Sequence, residues 1–280
     1  MLKYSNRKGT NKNNARPNLT VLAVAIFMLG GSTIAQVFLP PPPPAHPADY
    51  GEVILDNFAS KSPGAVVFDH WLHRSRFTCR LCHVDVGFAM KAKATGITAE
   101  SNRQGFRCGA CHDGKKIFDG KPLFAACSQG PANSQCDRCH SLDKKGVRQF
   151  EYESFTATFP KSIYGINWEA AERTGKVKPV DSVEGITMKK TRIQSREDFT
   201  LKTSDVWVHP VLFSHKKHSV WNGCELCHPE IFPTVKKSSV QYTMSSNLEG
   251  HHCGACHLKV AFPLNSCSRC HPRAPTWAQQ

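Results

Sequence analysis

The chain has 280 residues and a formal net charge of +14, and its 19 Gly and 18 Pro are too many for long uninterrupted helices. Five of the 36 Lys and Arg fall in the first 18 residues, so the remainder carries 31 basic against 22 acidic residues, or +9. An excess of that size does not by itself imply a nucleic-acid partner.

At the N-terminus, Lys3, Arg7, Lys8, Lys12 and Arg16 precede an uncharged, largely apolar stretch from Leu19 to Leu39. A basic flank before an apolar run keeps the N-terminus inside and sends the rest across a membrane. Residues 1–39 are expected to be a signal peptide or a signal anchor. Thr33-Ile34-Ala35 offers a small-x-small cleavage site, whereas the long basic leader and a run able to span a bilayer fit an uncleaved anchor. Either way the remainder lies outside the cytoplasm. The expected location is the periplasm, with residues 19–39 as the inner-membrane tether where they are retained; the outer surface is also open to it. Residues 40–59 begin with five consecutive prolines, Pro40 to Pro44, and read as a stiff, extended spacer.

Residues 60–145 contain Cys-x-x-Cys-His three times, and residues 205–275 contain it three times more. With 13 Cys and 14 His in the chain, chance supplies about 0.03 such pentapeptides. The chemistry needs these residues at this spacing. Two thiols add across the vinyl groups of a haem, and the adjacent histidine turns back onto the iron. Structural zinc on paired Cys-x-x-Cys would not require a histidine after every second cysteine. The motifs therefore predict six covalently attached haem c groups. Their thioethers would form at Cys79, Cys82, Cys108, Cys111, Cys136, Cys139, Cys224, Cys227, Cys253, Cys256, Cys267 and Cys270. The proximal iron ligands would be His83, His112, His140, His228, His257 and His271. Haem propionates would absorb much of the basic excess, which leaves no case for nucleic acid.

The two halves repeat one another. Phe68-Asp69-His70-Trp71-Leu72-His73 precedes Cys79 at the distance that Phe213-Ser214-His215-Lys216-Lys217-His218 precedes Cys224. In each half the second motif starts 29 residues after the first and reads Cys-Gly-Ala-Cys-His. The third follows after 14 residues in the second half but after 28 in the first, where an insertion spans about Gly120 to Gln135. Such self-similarity marks duplicated units, two tandem triheme domains. Residues 146–204 between them form a linker, in which Trp168 to Thr174 suggests a short helix, and 276–280 form a tail. The expected fold is mainly irregular, with short α-helices at the Phe-x-His-x-x-His segments and haem motifs around a porphyrin core.

Histidines three apart share one helical face, so His70, His73, His215 and His218 read as distal iron ligands. The third haem of each repeat needs another partner. Met244, nine residues before Cys253, and Met90 in Gly87-Phe88-Ala89-Met90 are the candidates, with His251 as the alternative in the second half. Methionine would raise the potential of those two haems. Cys127 belongs to no motif and reads as a buried or capped thiol; His46 and His209 adjoin prolines and are expected to be solvated.

These residues resemble the triheme c-seven cytochromes, relatives of the tetrahaem c-three (class III) group. The likeness rests on Phe-x-His-x-x-His before three haem motifs. It is closest in Asn222-Gly223-Cys224 through His228-Pro229-Glu230-Ile231-Phe232, in Cys253 to His257, and in Val260-Ala261-Phe262-Pro263. The resemblance covers residues 60 to 275 and implies a haem-dominated fold and electron carriage. It implies that His70 pairs with His83, His73 with His112, His215 with His228 and His218 with His257. The family's usual histidine before the second motif, ligand to the third haem, has no counterpart in the first repeat.

The leading expectation is a non-enzymatic electron carrier outside the cytoplasm. It would take electrons from a membrane quinol-oxidising complex or another c-type cytochrome and pass them to a further carrier, in respiration of the metal-reducing, anaerobic type. Lysines such as Lys216-Lys217 and Lys236-Lys237 would steer an acidic partner or merely offset propionates. Two other readings compete: a multihaem reductase of a small oxyanion or nitrogen compound, and a fixed cytochrome subunit of a menaquinol oxidoreductase complex.

Overall fold

The computed structural model describes residues 46–56, 64–127, 135–187, 189, 197–203, 208–233 and 242–272. The chain divides into two compact units, Met1–Leu39 and Pro40–Gln280. The expected leader, the proline run and the 276–280 tail lie outside the described residues, among which no helix is long and apolar enough to cross a membrane.

Secondary structure is sparse. Four two-stranded antiparallel sheets are joined to short helices by turns. Strands β1 (Glu52–Leu55) and β2 (Val66–Asp69) pair with Val53 opposite Phe68 and Ile54 opposite Val67, β-branched and aromatic side chains that suit a half-buried pleated surface. Helix α1 (His70–Arg74) follows β2 directly, and α2 (Ala99–Arg103) is closed by a Thr98–Ser101 capping box. Hairpins β3 (Ile117–Phe118)–β4 (Lys121–Pro122) and β5 (Lys161–Ser162)–β6 (Gly165–Ile166) flank helix α3 (Lys145–Thr156); α4 (Trp168–Arg173) comes next. The second half repeats the opening. Strand β7 (Phe199–Leu201) pairs with β8 (Val211–Phe213), which leads into α5 (His215–Asn222). Helix α6 (Met244–Leu248) precedes α7 (Gly254–His257) and α8 (Cys267–Cys270), which lie in the last two motifs.

Two segments do more than the sequence suggested. The stretch read as a spacer is folded over residues 46–56, where β1 pairs with β2. His46 is packed rather than solvated: its ring meets Tyr152 edge-on at 6.0 Å and Nε2 reaches Glu153 at 3.1 Å. The stretch read as a linker supplies the only conventional core among the described residues. Tyr152 from α3 packs with Ala48 and Trp71, and Phe159, Ala171 and Val177 form an adjoining cluster that Trp221 of the second half also touches. Helix α3 turns Arg148, Tyr152 and Thr156 inward at four-residue spacing, with Arg148 paired to Glu52 at 2.7 Å and to Asp69 at 3.4 Å. Full burial of aromatics such as Trp71 contributes about 1.5–3 kcal/mol each, so this small core ties the two halves together.

Candidate haem centres

Helix α1 begins at its first histidine, so one turn points His70 and His73 at two different haem motifs. The His70 and His83 rings stack with centroids 6.5 Å apart and an interplanar angle of 6°. His73 and His112 lie 6.3 Å apart at 63°, and in the second half His218 and His257 lie 6.3 Å apart at 66°. An iron bonded to two imidazoles at about 2 Å each, with roughly 1.2 Å more to each ring centre, needs centroids about 6.4 Å apart. Three histidine pairs, distant in sequence, are thus held at the width of one iron and its two axial bonds. His215 and His228 form no comparable ring pair among the described residues; His215 is half-buried at the start of α5, beside the exposed Lys216 and Lys217.

A second regularity fixes which nitrogen faces the gap. Nδ1 donates to a backbone carbonyl in His70 (Gly51, 2.6 Å), His73 (Asp69, 3.3 Å), His215 (Glu197, 3.1 Å) and His218 (Ser214, 2.7 Å). Among the motif histidines, Nδ1 donates in His83 (Phe88, 2.9 Å), His140 (Gly64, 2.7 Å), His228 (Phe232, 2.7 Å), His257 (Phe262, 3.2 Å) and His271 (His209, 2.5 Å). His112 turns Nδ1 toward the Phe124 carbonyl without closing a full hydrogen bond. With Nδ1 spoken for, the lone pair sits on Nε2, the orientation that metal-ligating imidazoles require. Burial pushes His70, His73 and His257 down to about 4 and lowers His83, His112 and His218, so these rings are neutral at pH 7.

The thiols point the same way. Burial raises Cys79, Cys108, Cys227, Cys256 and Cys270 to about 11 and Cys82 to about 12. They face apolar surroundings, which suits thioethers better than reactive thiolates. Among the described residues no three His, Cys, Asp or Glu side chains converge as a tetrahedral zinc site demands. The residues fit a porphyrin with axial imidazoles. The motifs also crowd one another in order. Cys82 feels Cys108 and Cys111, Cys108 feels Cys139, and in the second half Cys253 feels Cys227 and Cys270 feels Cys253. Across the two halves, Cys79 feels Cys227 and Cys256 feels Cys79.

The third motif of each half is less complete. His140 lines a shallow concavity with Gly64, Ala65, Asp137 and Leu142; Met90 is not among its walls and stands 39% exposed in the loop after the first motif. Met244 opens α6 and is 48% exposed. Of the paired histidines, His251 is exposed, while His252 packs on Tyr242 at 4.8 Å with Nδ1 on the Ile231 carbonyl at 3.3 Å. Cys127 is half-buried; its Sγ accepts from Asn102 at 3.6 Å.

Several residues escaped the sequence reading. Phe124 and Phe262 face the second proximal histidine of each half at 4.4 and 4.3 Å. Arg138 and Arg269, each inside a third motif, lie over those rings at 4.5 and 4.9 Å. The shared arginine before the second cysteine of both third motifs was the available signal. The equivalence also divides the insertion. Phe124 follows His112 by 12 residues where Phe262 follows His257 by 5, so half of the extra chain is the β3–β4 hairpin region and half follows Phe124. Arg80, within the first motif, is buried and reaches Asp85 at 2.8 Å and Asp181 at 3.1 Å.

Among solved structures, the C-terminal hexaheme fragment of GSU1996 is 25% identical over 82% of this chain and 98% of its own, with a TM-score of 0.24. The dodecaheme cytochrome c GSU1996 is 23% identical over 80% of this chain and 75% of its own, with a TM-score of 0.26. No curated protein matches the chain. The family model for cytochrome c7 and related cytochrome c matches residues 66–141 and 211–272, one match over each repeat. The chain belongs to the cytochrome c7 family, as a duplicated, c7-type multihaem cytochrome that binds haem c covalently and transfers electrons.

Proposed function

We propose that the chain carries six covalent haems c, one per motif, and serves as an electron carrier without a substrate of its own. When bound, each haem supplies a one-electron couple whose potential follows its axial ligands. The chain's part is to fix those ligands. In this reading His70, His73, His215 and His218 are distal to His83, His112, His228 and His257, and the third motif of each half takes a different sixth ligand. The observation that carries it is the spacing of 6.3–6.5 Å in three histidine pairs drawn from distant segments.

The crowding of the thiols supports a route. It runs from the third motif of the first half through the second to the first, crosses at Cys79 to Cys227 and Cys256, and ends at the third motif of the second half. The exchange points would then be the two third motifs, the ends of that route. Donor and acceptor are proposed as a quinol-oxidising membrane complex or another c-type cytochrome on one side and a further carrier on the other, in the periplasm. The test is the mass of protein matured with haem attachment, with low-temperature spin resonance and near-infrared magnetic circular dichroism. Six haem masses with low-spin bis-histidine signals are expected. A mass lacking the haems, or predominantly high-spin iron, overturns the reading.

A further inference from the structure

The segment read as a spacer holds both halves at once through two consecutive residues. The Gly51 carbonyl accepts from His70 Nδ1 at 2.6 Å, and the neighbouring Tyr50 hydroxyl donates to the His257 carbonyl at 2.9 Å. His70 faces His83 in the first half and His257 faces His218 in the second, so this strap spans two candidate irons from different repeats. It is tightly seated. Gly51 has φ +88°, and a Cβ there would stand 3.2 Å from His70 Cβ and 3.5 Å from Val260 Cα. The other half handles its first distal histidine differently: His215, half-buried, donates to the carbonyl of the exposed Glu197 at 3.1 Å.

A carbonyl acceptor on Nδ1–H makes an imidazole a stronger donor to its metal and lowers the potential of that metal. We propose that Tyr50 is a positioning residue that sets the potential of the His70/His83 haem, by holding the Gly51 carbonyl on His70 with an anchor in the second repeat. The first haem of the first half is thereby tuned by the docking of the other half, at the place where the proposed route crosses between repeats. The inference rests on the reading of His70 and His83 as axial partners.

The experiment compares Tyr50→Phe and His70→Met with the unaltered holoprotein, following each haem in a redox titration by NMR. Removal of the hydroxyl keeps the ring and its packing, so all irons stay low-spin and the fold persists. The expected result is an upward shift of one midpoint, that of the His70/His83 haem, with the others unchanged. His70→Met should convert one bis-histidine signal to a histidine–methionine one. If it leaves every signal unaltered, the ligand reading falls. If it acts and Tyr50→Phe moves no haem, all haems alike, or a different haem, the strap inference falls while the ligand reading stands.

Discussion

The two repeats hold their histidines alike except at the first pair, where His70 stacks on His83 and His215 has no such partner ring, and their surroundings differ. Phe68 meets His70 at 4.8 Å and 89°, and Phe213 meets His215 at 5.0 Å and 89°. The His73/His112 and His218/His257 pairs share one separation and differ by 3° in tilt. In both halves the third proximal histidine bonds a carbonyl two residues before a strand, at Gly64 and His209. Yet the helix bearing the distal histidines faces opposite environments. Between them α1 places Trp71, 2% exposed, in the small aromatic core, whereas α5 places Lys216 and Lys217 at the surface. The lesson is that the histidine-bearing side of the unit is largely copied while the outer side is free to be core or surface.

Substitutions at equivalent positions test that asymmetry. Trp71→Ala removes the core's largest side chain and is expected to cost about 3–5 kcal/mol in denaturant unfolding. Lys216→Ala, at the same place in the other half, should stay within about 0.5 kcal/mol. Equal losses would mean that the Trp71 core is not what separates the halves. A second contrast is Arg80 against Glu225, the residues after the first cysteine of each repeat. Arg80→Ala removes a buried guanidinium shared by Asp85 and Asp181 and is expected to cost about 3–5 kcal/mol. Glu225 is a surface carboxylate that accepts from the adjacent Cys224 N–H at 3.1 Å, and its loss should cost no more than about 1 kcal/mol in the same measurement.

Where the halves agree, paired substitutions should do equal harm. Gly109 and Gly254 occupy the same place in Cys-Gly-Ala-Cys-His, and a Cβ on either would stand 1.8 Å from the carbonyl oxygen of Asn102 or Asn247. Ala at either site must push the preceding helix away, an overpacking cost of about 1–3 kcal/mol. The two variants are expected to lose similar stability and to impair haem loading at the second motif of their own half only, as read by peptide mass. Unequal losses would show that the repeats have diverged even at this contact.

Legibility in the sequence followed the kind of information each element uses. The haem motifs and their repeat are covalent chemistry written in side chains, so spacing alone exposed them. The i, i+3 histidines put two rings on one turn, but which ring each one faces is settled by tertiary packing. Helix α3 gave no apolar periodicity because two of its three inward residues are Arg148 and Thr156, buried by ion pairing and hydrogen bonding. The strap at Tyr50–Gly51 was hidden for a different reason. Its contribution to His70 is a backbone carbonyl, which no side-chain pattern reports, and it follows a proline run that reads as a spacer. The sixth ligands of the third motifs stayed open because Met90, Met244 and His251 are all exposed.

The smallest expected effect is the most discriminating test of the copied inner face. Arg138 and Arg269 lie over Phe124 and Phe262, which in turn face His112 and His257, so each arginine is one ring removed from a motif histidine. Such a cation–π contact contributes about 0.5–1 kcal/mol. Arg138→Gln and Arg269→Gln should each lower stability by about that amount. Each should also alter the NMR shifts of only the haem on its own half's second motif, because the phenylalanine is free to tilt once the cation above it is gone. The insertion supplies the control. Phe124 reaches its histidine from a loop with extra residues on both sides, whereas Phe262 does so from a short one. If the longer loop merely approximates the contact, Arg138→Gln will disturb more than Arg269→Gln; if the ring position is dictated by the haem face, the two variants will match despite their different loops.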